Sequence, residues 1–152
     1  MQLGRIHHVG YVVSSLDAAL PVFTERYGMR VELRETLTEQ AVEAAMLSAG
    51  ASFVELIQPL DAEGPIARFM ASRGEGLHHV AFETPDLRAA LAELSAGGAE
   101  LIDAEPRVGL GGHLIAFVHP RSGSGALTEL IQAEEGAARG EHPAGGPRDG
   151  AR

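Results

Sequence analysis

The chain has 152 residues, enough for one domain with a substantial apolar core, and carries a formal net charge of −9 with 45% hydrophobic residues. It has no cysteine, which excludes disulfides, thiolate metal sites, iron–sulfur clusters and cysteine nucleophiles, and its twelve basic residues are all arginine, which excludes lysine Schiff bases. The acidic balance, with arginines scattered among acids, argues against a nucleic-acid partner, and no apolar run reaches the roughly 18 residues of a membrane span.

Met1 to Arg5 lead into His7-His8 rather than into an apolar segment, so no secretory signal is expected and a cytoplasmic location follows. His8 to Val13 read as a strand that ends at Ser14-Ser15. Leu16, Ala19, Leu20 and Phe23 then fall at helical spacing behind Ser15 as N-cap, and Gly28 stops the helix. Three strand-like stretches follow, the last being Ser52 to Gln58, and Pro65 to Ser72 form a connecting helix opened by proline.

The pattern then begins again. Ile6-His7-His8-Val9-Gly10-Tyr11 returns as Leu77-His78-His79-Val80-Ala81-Phe82, 71 residues later, with Asp86 as the second N-cap and Leu87, Ala90, Leu91 and Leu94 as the second apolar helix face. Glu55-Leu56-Ile57-Gln58 returns as Glu129-Leu130-Ile131-Gln132, 74 residues later. The unit is βαβββ, twice, an α+β fold. A single domain over residues 1–134 is expected, with module one at about 5–60, the connector at about 64–73, module two at about 76–133, and a flexible tail over 135–152 that lacks large apolar residues.

Strand side chains alternate faces, so within each His-His doublet one ring is assigned to each side. His7 shares its face with Val9, Tyr11 and Val13, which should pack on the helix; His8 shares its face with Gly10 and Val12 and turns to the cleft. The same count sets His78 with Val80 and Phe82, and His79 with Ala81. Glu55 and Glu129 lie in otherwise apolar strands, where a lone carboxylate costs several kcal/mol unless a cation compensates it. A single strand histidine is most often structural; four ligand-type residues repeated across two modules point instead to a divalent metal held by His8, Glu55, His79 and Glu129. Nitrogen and oxygen ligation suits Co, Ni, Zn, Mn or Fe. His7 and His78 are assigned structural roles, His113 and His119 are left open, and His142 belongs to the tail.

The paired modules with these four positions resemble the vicinal oxygen chelate superfamily, whose fold wraps a curved mixed sheet around a metal cleft. Three runs are more specific: Pro65-Ile66-Ala67-Arg68-Phe69 through Arg73-Gly74-Glu75-Gly76-Leu77-His78-His79-Val80-Ala81-Phe82-Glu83; Glu105-Pro106-Arg107-Val108-Gly109-Leu110-Gly111-Gly112; and Ile115-Ala116-Phe117-Val118-His119-Pro120-Arg121 with Leu127-Thr128-Glu129-Leu130. Over residues 5 to 133 these are similar to methylmalonyl-CoA epimerases. The resemblance implies an acyl-CoA substrate, a homodimer and the same four ligands. It also implies interconversion of the 2R and 2S forms through a metal-stabilised enolate, with Glu129 as one acid/base.

One position departs from the pattern: Ala44 stands where several bacterial members carry a glutamate, and Glu43 should face the other way. The second acid/base is therefore unassigned. Arg68, Arg73, Arg107 and Arg121 are candidates for the CoA phosphates. The alternatives are a glyoxalase-like lyase or isomerase on the same scaffold, kept open by Ala44, and a metal-free binding or resistance protein, disfavoured by the retained ligand set.

Overall fold

The structure, a computed structural model, describes residues 1–134; the tail expected over 135–152 lies outside the described residues. Both copies of the repeat fold alike. The first comprises β1 (Ile6–Val12), α1 (Leu16–Pro21), β2 (Arg30–Leu37), β3 (Val42–Ala49) and β4 (Ser52–Pro59); α2 (Gly64–Arg73) connects it to β5 (Gly76–Thr84), α3 (Leu87–Ala96), β6 (Arg107–Val108), β7 (Leu114–Val118) and β8 (Leu127–Gln132).

The helix starts are set by paired devices. Ser15 Oγ accepts the Ala18 N–H at 3.3 Å, and Asp86 Oδ1 accepts the Ala89 N–H at 2.9 Å. The glutamines that end the repeated Glu-Leu-Ile-Gln motif add a second cap: Gln58 Oε1 accepts from Leu16 N at 2.7 Å and Gln132 Oε1 from Leu87 N at 2.8 Å. Each motif thus ties the last strand of its module to the start of that module's helix. After Pro21, which has no N–H to donate, α1 gives way to a wider π-type turn over Val22–Arg26. Phe23 nevertheless reaches the Tyr11 ring at 5.8 Å between centroids.

The strands form one eight-stranded sheet in the order β2-β3-β4-β1-β5-β8-β7-β6. Within each module the first and last strands pair in parallel, β1 with β4 and β5 with β8, and the modules join through the antiparallel pair β1–β5. An approximate twofold axis therefore runs between β1 and β5. Strand β6 has only two residues, because the Asp103 carboxylate takes the Phe117 N–H at 2.9 Å that a longer strand would have bonded.

On the outer face, Val13, Leu16, Ala45, Leu47 and Leu56 pack under α1, and Leu87, Ala90, Leu91, Ala116 and Leu130 form the matching cluster under α3. The inner face curls until its far ends meet. Gly111 N donates to the Glu35 carboxylate at 3.1 Å and Gln40 Nε2 donates to the Val108 carbonyl at 3.2 Å, closing a cavity of about 550 Å³.

Leu56 and Leu130 are equivalent by the repeat and fully enclosed, at 0% and 1% exposure. Replacing either with alanine is expected to cost about 2–5 kcal/mol in urea unfolding, and both variants should lose similar amounts if the two helix-covered clusters are energetically alike.

Candidate active site

The strand register decides what meets on the inner face. Gly10 lies beside Glu55 on β4 and beside His79 on β5, giving a row Glu55–Gly10–His79. His8 pairs with Ala81, which pairs with Glu129, giving a second row His8–Ala81–Glu129. In each row an imidazole and a carboxylate flank a residue with little or no side chain, and the open space over it is where they converge. A Cβ on Gly10 would collide with the His79 ring, so the ring occupies the volume a larger residue would need.

Both carboxylates reach both inward imidazoles. His8 Nε2 lies 3.0 Å from His79 Nε2, 3.5 Å from Glu55 Oε2 and 3.7 Å from Glu129 Oε1; His79 Nε2 lies 3.4 Å from Oε2 of each glutamate. All four residues are buried, with exposures of 8% or less. Donor atoms of His8, His79 and Glu129 all fall within 4.8 Å of one another. Two inward Nε2 atoms, two carboxylates and no sulfur are the donor set of a divalent transition ion, and these residues fit one.

The expected alternation of faces fails at one residue in each doublet. The pairing steps from Ile6–Phe82 to His8–Ala81, leaving His7 as an extra residue on β1, and from Gly10–His79 to Tyr11–Leu77, leaving His78 extra on β5. These are β-bulges, and each swings the extra ring toward its neighbour rather than onto a helix of its own module. His7 Nδ1 lies 2.8 Å from His8 Nδ1, and His78 Nδ1 lies 2.9 Å from His79 Nδ1. His7 also packs on Phe53, and His78 on Phe69 of α2. Sequence reasoning missed these contacts; the available signal was the duplication of the whole doublet, where a single ligand per strand needs only one histidine.

Burial and mutual charge split the ionisation states. Burial lowers the pKa of His79 to about 3, with the His8 and His78 charges acting in the same direction, and burial lowers that of His7 to about 4. Burial likewise drives His78 down. His8 rises despite its burial, because a hydrogen bond to Glu55 and the charges of Glu129 and Glu55 favour its cation. Glu129 is pushed up to about 8 by burial, opposed by His8 and reinforced by Glu55. Burial also acts to raise Glu55, but the His8 hydrogen bond and the His79 and His8 charges hold it below the usual carboxylate range.

The rest of the cavity is largely apolar. Ala44 lies on its wall, while Glu43 points outward to Arg34 at 2.7 Å, as the strand count requires. Of the four arginines considered for phosphates, only Arg107 lines the cavity, its guanidinium 3.2 Å from Asp103 and stacked 5.2 Å from the Phe117 ring. Arg121 is paired with Glu100 at 3.2 Å, Arg73 lies over Phe69, and Arg68 is exposed. His119 Nδ1 accepts the Arg121 N–H at 3.1 Å and serves a turn, while His113 lies beside His7, 6.0 Å between ring centroids. His142 lies outside the described residues. Among the described residues no helix is long and apolar enough to cross a membrane.

Residues 7–117 match the family model of the Glyoxalase/Bleomycin resistance protein/Dioxygenase superfamily. The uncharacterised protein YqjC of Bacillus subtilis is 38% identical over 92% of this chain and 99% of its own length. The ethylmalonyl-CoA/methylmalonyl-CoA epimerase of Cereibacter sphaeroides is 31% identical over 86% of this chain and 98% of its own. A variant of the Streptomyces coelicolor methylmalonyl-CoA epimerase, solved in complex with 2-nitronate-propionyl-CoA, superposes with a TM-score of 0.83 at 36% identity, covering 87% of this chain and 99% of that one. By its sequence and its fold alike, the chain belongs to the methylmalonyl-CoA epimerase family of isomerases within that superfamily.

Proposed function

We propose that the protein inverts the α-carbon of methylmalonyl-CoA, or of a close 2-substituted malonyl-CoA, with His8, Glu55, His79 and Glu129 holding a divalent transition ion. The observation that carries this reading is the convergence of two imidazole Nε2 atoms and two buried carboxylates at 3.0–3.7 Å in a chain of this family. A cavity of about 550 Å³ takes the branched acyl group and its thioester and leaves the nucleotide outside, which agrees with the acyl-CoA ligand of the solved relative. The reading extends to a homodimer, as the family resemblance implies, and to a cytoplasmic location.

The ion, when bound, supplies the positive charge that stabilises the negative charge developing on the thioester oxygen. Glu129 takes the α-proton: it is buried and stands among the inward donors where a substrate α-carbon would approach. Phe117, Ile115, Leu110 and Ile57 enclose the reacting end and keep bulk water from it. Ala44 offers no proton from the wall; of the other lining carboxylates, Asp103 is engaged by Arg107 and by the Phe117 N–H, and Glu39, Asp61 and Glu63 stand at the exposed rim. Ala44 keeps open a second reading, a glyoxalase-like lyase or isomerase acting on a different carbonyl compound with the same four residues.

Methylmalonyl-CoA in deuterated buffer is expected to exchange its α-proton with the metal-loaded protein, and to stop exchanging after chelation until a divalent ion is restored. Bound metal without exchange rejects the epimerase in favour of the second reading. Glu129→Gln should slow exchange by at least about 100-fold, measured by mass spectrometry of recovered substrate.

The chelator-stripped protein should also show a pH signature. Folded Glu129 keeps its proton up to about pH 8, whereas an unfolded glutamate loses it near 4.5, so its contribution to stability is complete below 4.5 and is lost as pH rises through 8. His7 and His79 act oppositely, but only below their unfolded value of 6.5. Between pH 6.5 and 8 stability should therefore fall, by up to about 1.4 kcal/mol per pH unit for each proton concerned, and Glu129→Gln should flatten that slope in urea titrations.

A further inference from the structure

A neutral imidazole carries one N–H. A histidine that turns its Nε2 lone pair inward to an ion must therefore carry its proton on Nδ1, and at a buried site that proton needs an acceptor. At His8 and at His79 the same atom type stands in that place: Nδ1 of the preceding histidine, at 2.8 and 2.9 Å. We propose that His7 and His78 are positioning residues, each accepting the Nδ1–H of the ligating imidazole beside it and so fixing its tautomer and ring angle. The inference rests on the metal reading given above.

Three features of the fold support it. Both contacts are made by bulged residues at positions equivalent under the approximate twofold axis, so an irregularity that gives up regular pairing occurs twice with the same result. In both doublets the rings stand nearly perpendicular, at 81° and 87°, with the inner ring aimed at the cluster of four and the outer ring behind it. Each outer ring is itself held from behind, His7 by Phe53 at 5.1 Å and His78 by Phe69 at 4.9 Å between centroids, so neither acceptor is free to swing away. The Phe69 contact also makes the connecting helix α2 part of the support for the site.

The test is metal affinity rather than turnover. Full-length protein is stripped by chelation, titrated with Co(II) or Zn(II) against a chromophoric chelator, and followed by the visible absorption of its Co(II) form. His7→Phe and His78→Phe, which keep a ring but remove the acceptor, should each weaken binding by about 10–100-fold and shift the Co(II) bands. His7→Asn and His78→Asn place Oδ1 where Nδ1 stood and should recover affinity and spectrum, whereas the corresponding Gln variants, with the acceptor one bond further out, should not. Melting of the stripped variants separates affinity from folding, and if the Phe variants fail to fold, the Asn and Gln pair decides. Phe variants with wild-type affinity and spectrum, or Asn variants as weak as Gln, overturn the proposal. Wild-type protein that takes up no ion overturns the metal reading itself, and this inference with it.

Discussion

Two carboxylates and two imidazoles share one dry point inside the sheet, and most of the molecule is arranged to tolerate that. Isolated there, Glu55 or Glu129 would cost several kcal/mol, and two together more, since their charges repel. The structure meets the cost in two ways. His8 holds Glu55 ionised through a hydrogen bond and its charge, and burial lets Glu129 keep a proton to about pH 8. Such a cluster is a standing demand for a cation: a divalent ion would replace both the imidazolium and the carboxyl proton as the compensating charge.

Duplication is what brings the demand about. One βαβββ module carries one imidazole on its first strand and one carboxylate on its last, and parallel pairing of those strands sets them side by side. Joining two modules edge to edge through β1 and β5 places the pairs face to face, and Gly10 and Ala81 keep the space between them open. The repeated Glu-Leu-Ile-Gln motif serves three parts of the fold within four residues: its glutamate faces the site, its leucine lies in the helix-covered core, and its glutamine caps the helix. A shift of one residue in either last strand would invert all of these together, so function and stability constrain the same register.

The mouth of the cavity is less symmetrical than its floor. Module one contributes a long curled edge, β2 and β3, while module two contributes a two-residue β6 and a turn that reaches back to Glu35. The asymmetry leaves Arg107, clasped by Asp103 and stacked on Phe117, lining the cavity on that side, with Phe117 in turn edge-on to His79. Ala44 on the wall and Glu43 turned outward to Arg34 show that the acid expected of several relatives is missing from the cavity and not merely displaced within the strand.

The repeat, the helix faces, the N-caps at Ser15 and Asp86, the α+β class and the four residues that converge were all legible in the sequence, because each depends on local periodicity or on a residue type that is costly to bury without a partner. Strand parity also placed Ala44 and Glu43 on their correct sides. It failed at His7 and His78, since a bulge depends on how two strands separated by 70 residues align, and nothing within either strand records that alignment. The order of the eight strands, the meeting of the sheet's far ends around the cavity, and the support of the inner imidazoles by the outer ones were decided only by tertiary structure. All three arise from contacts between segments distant in the chain, whose geometry is fixed by packing rather than by local preference.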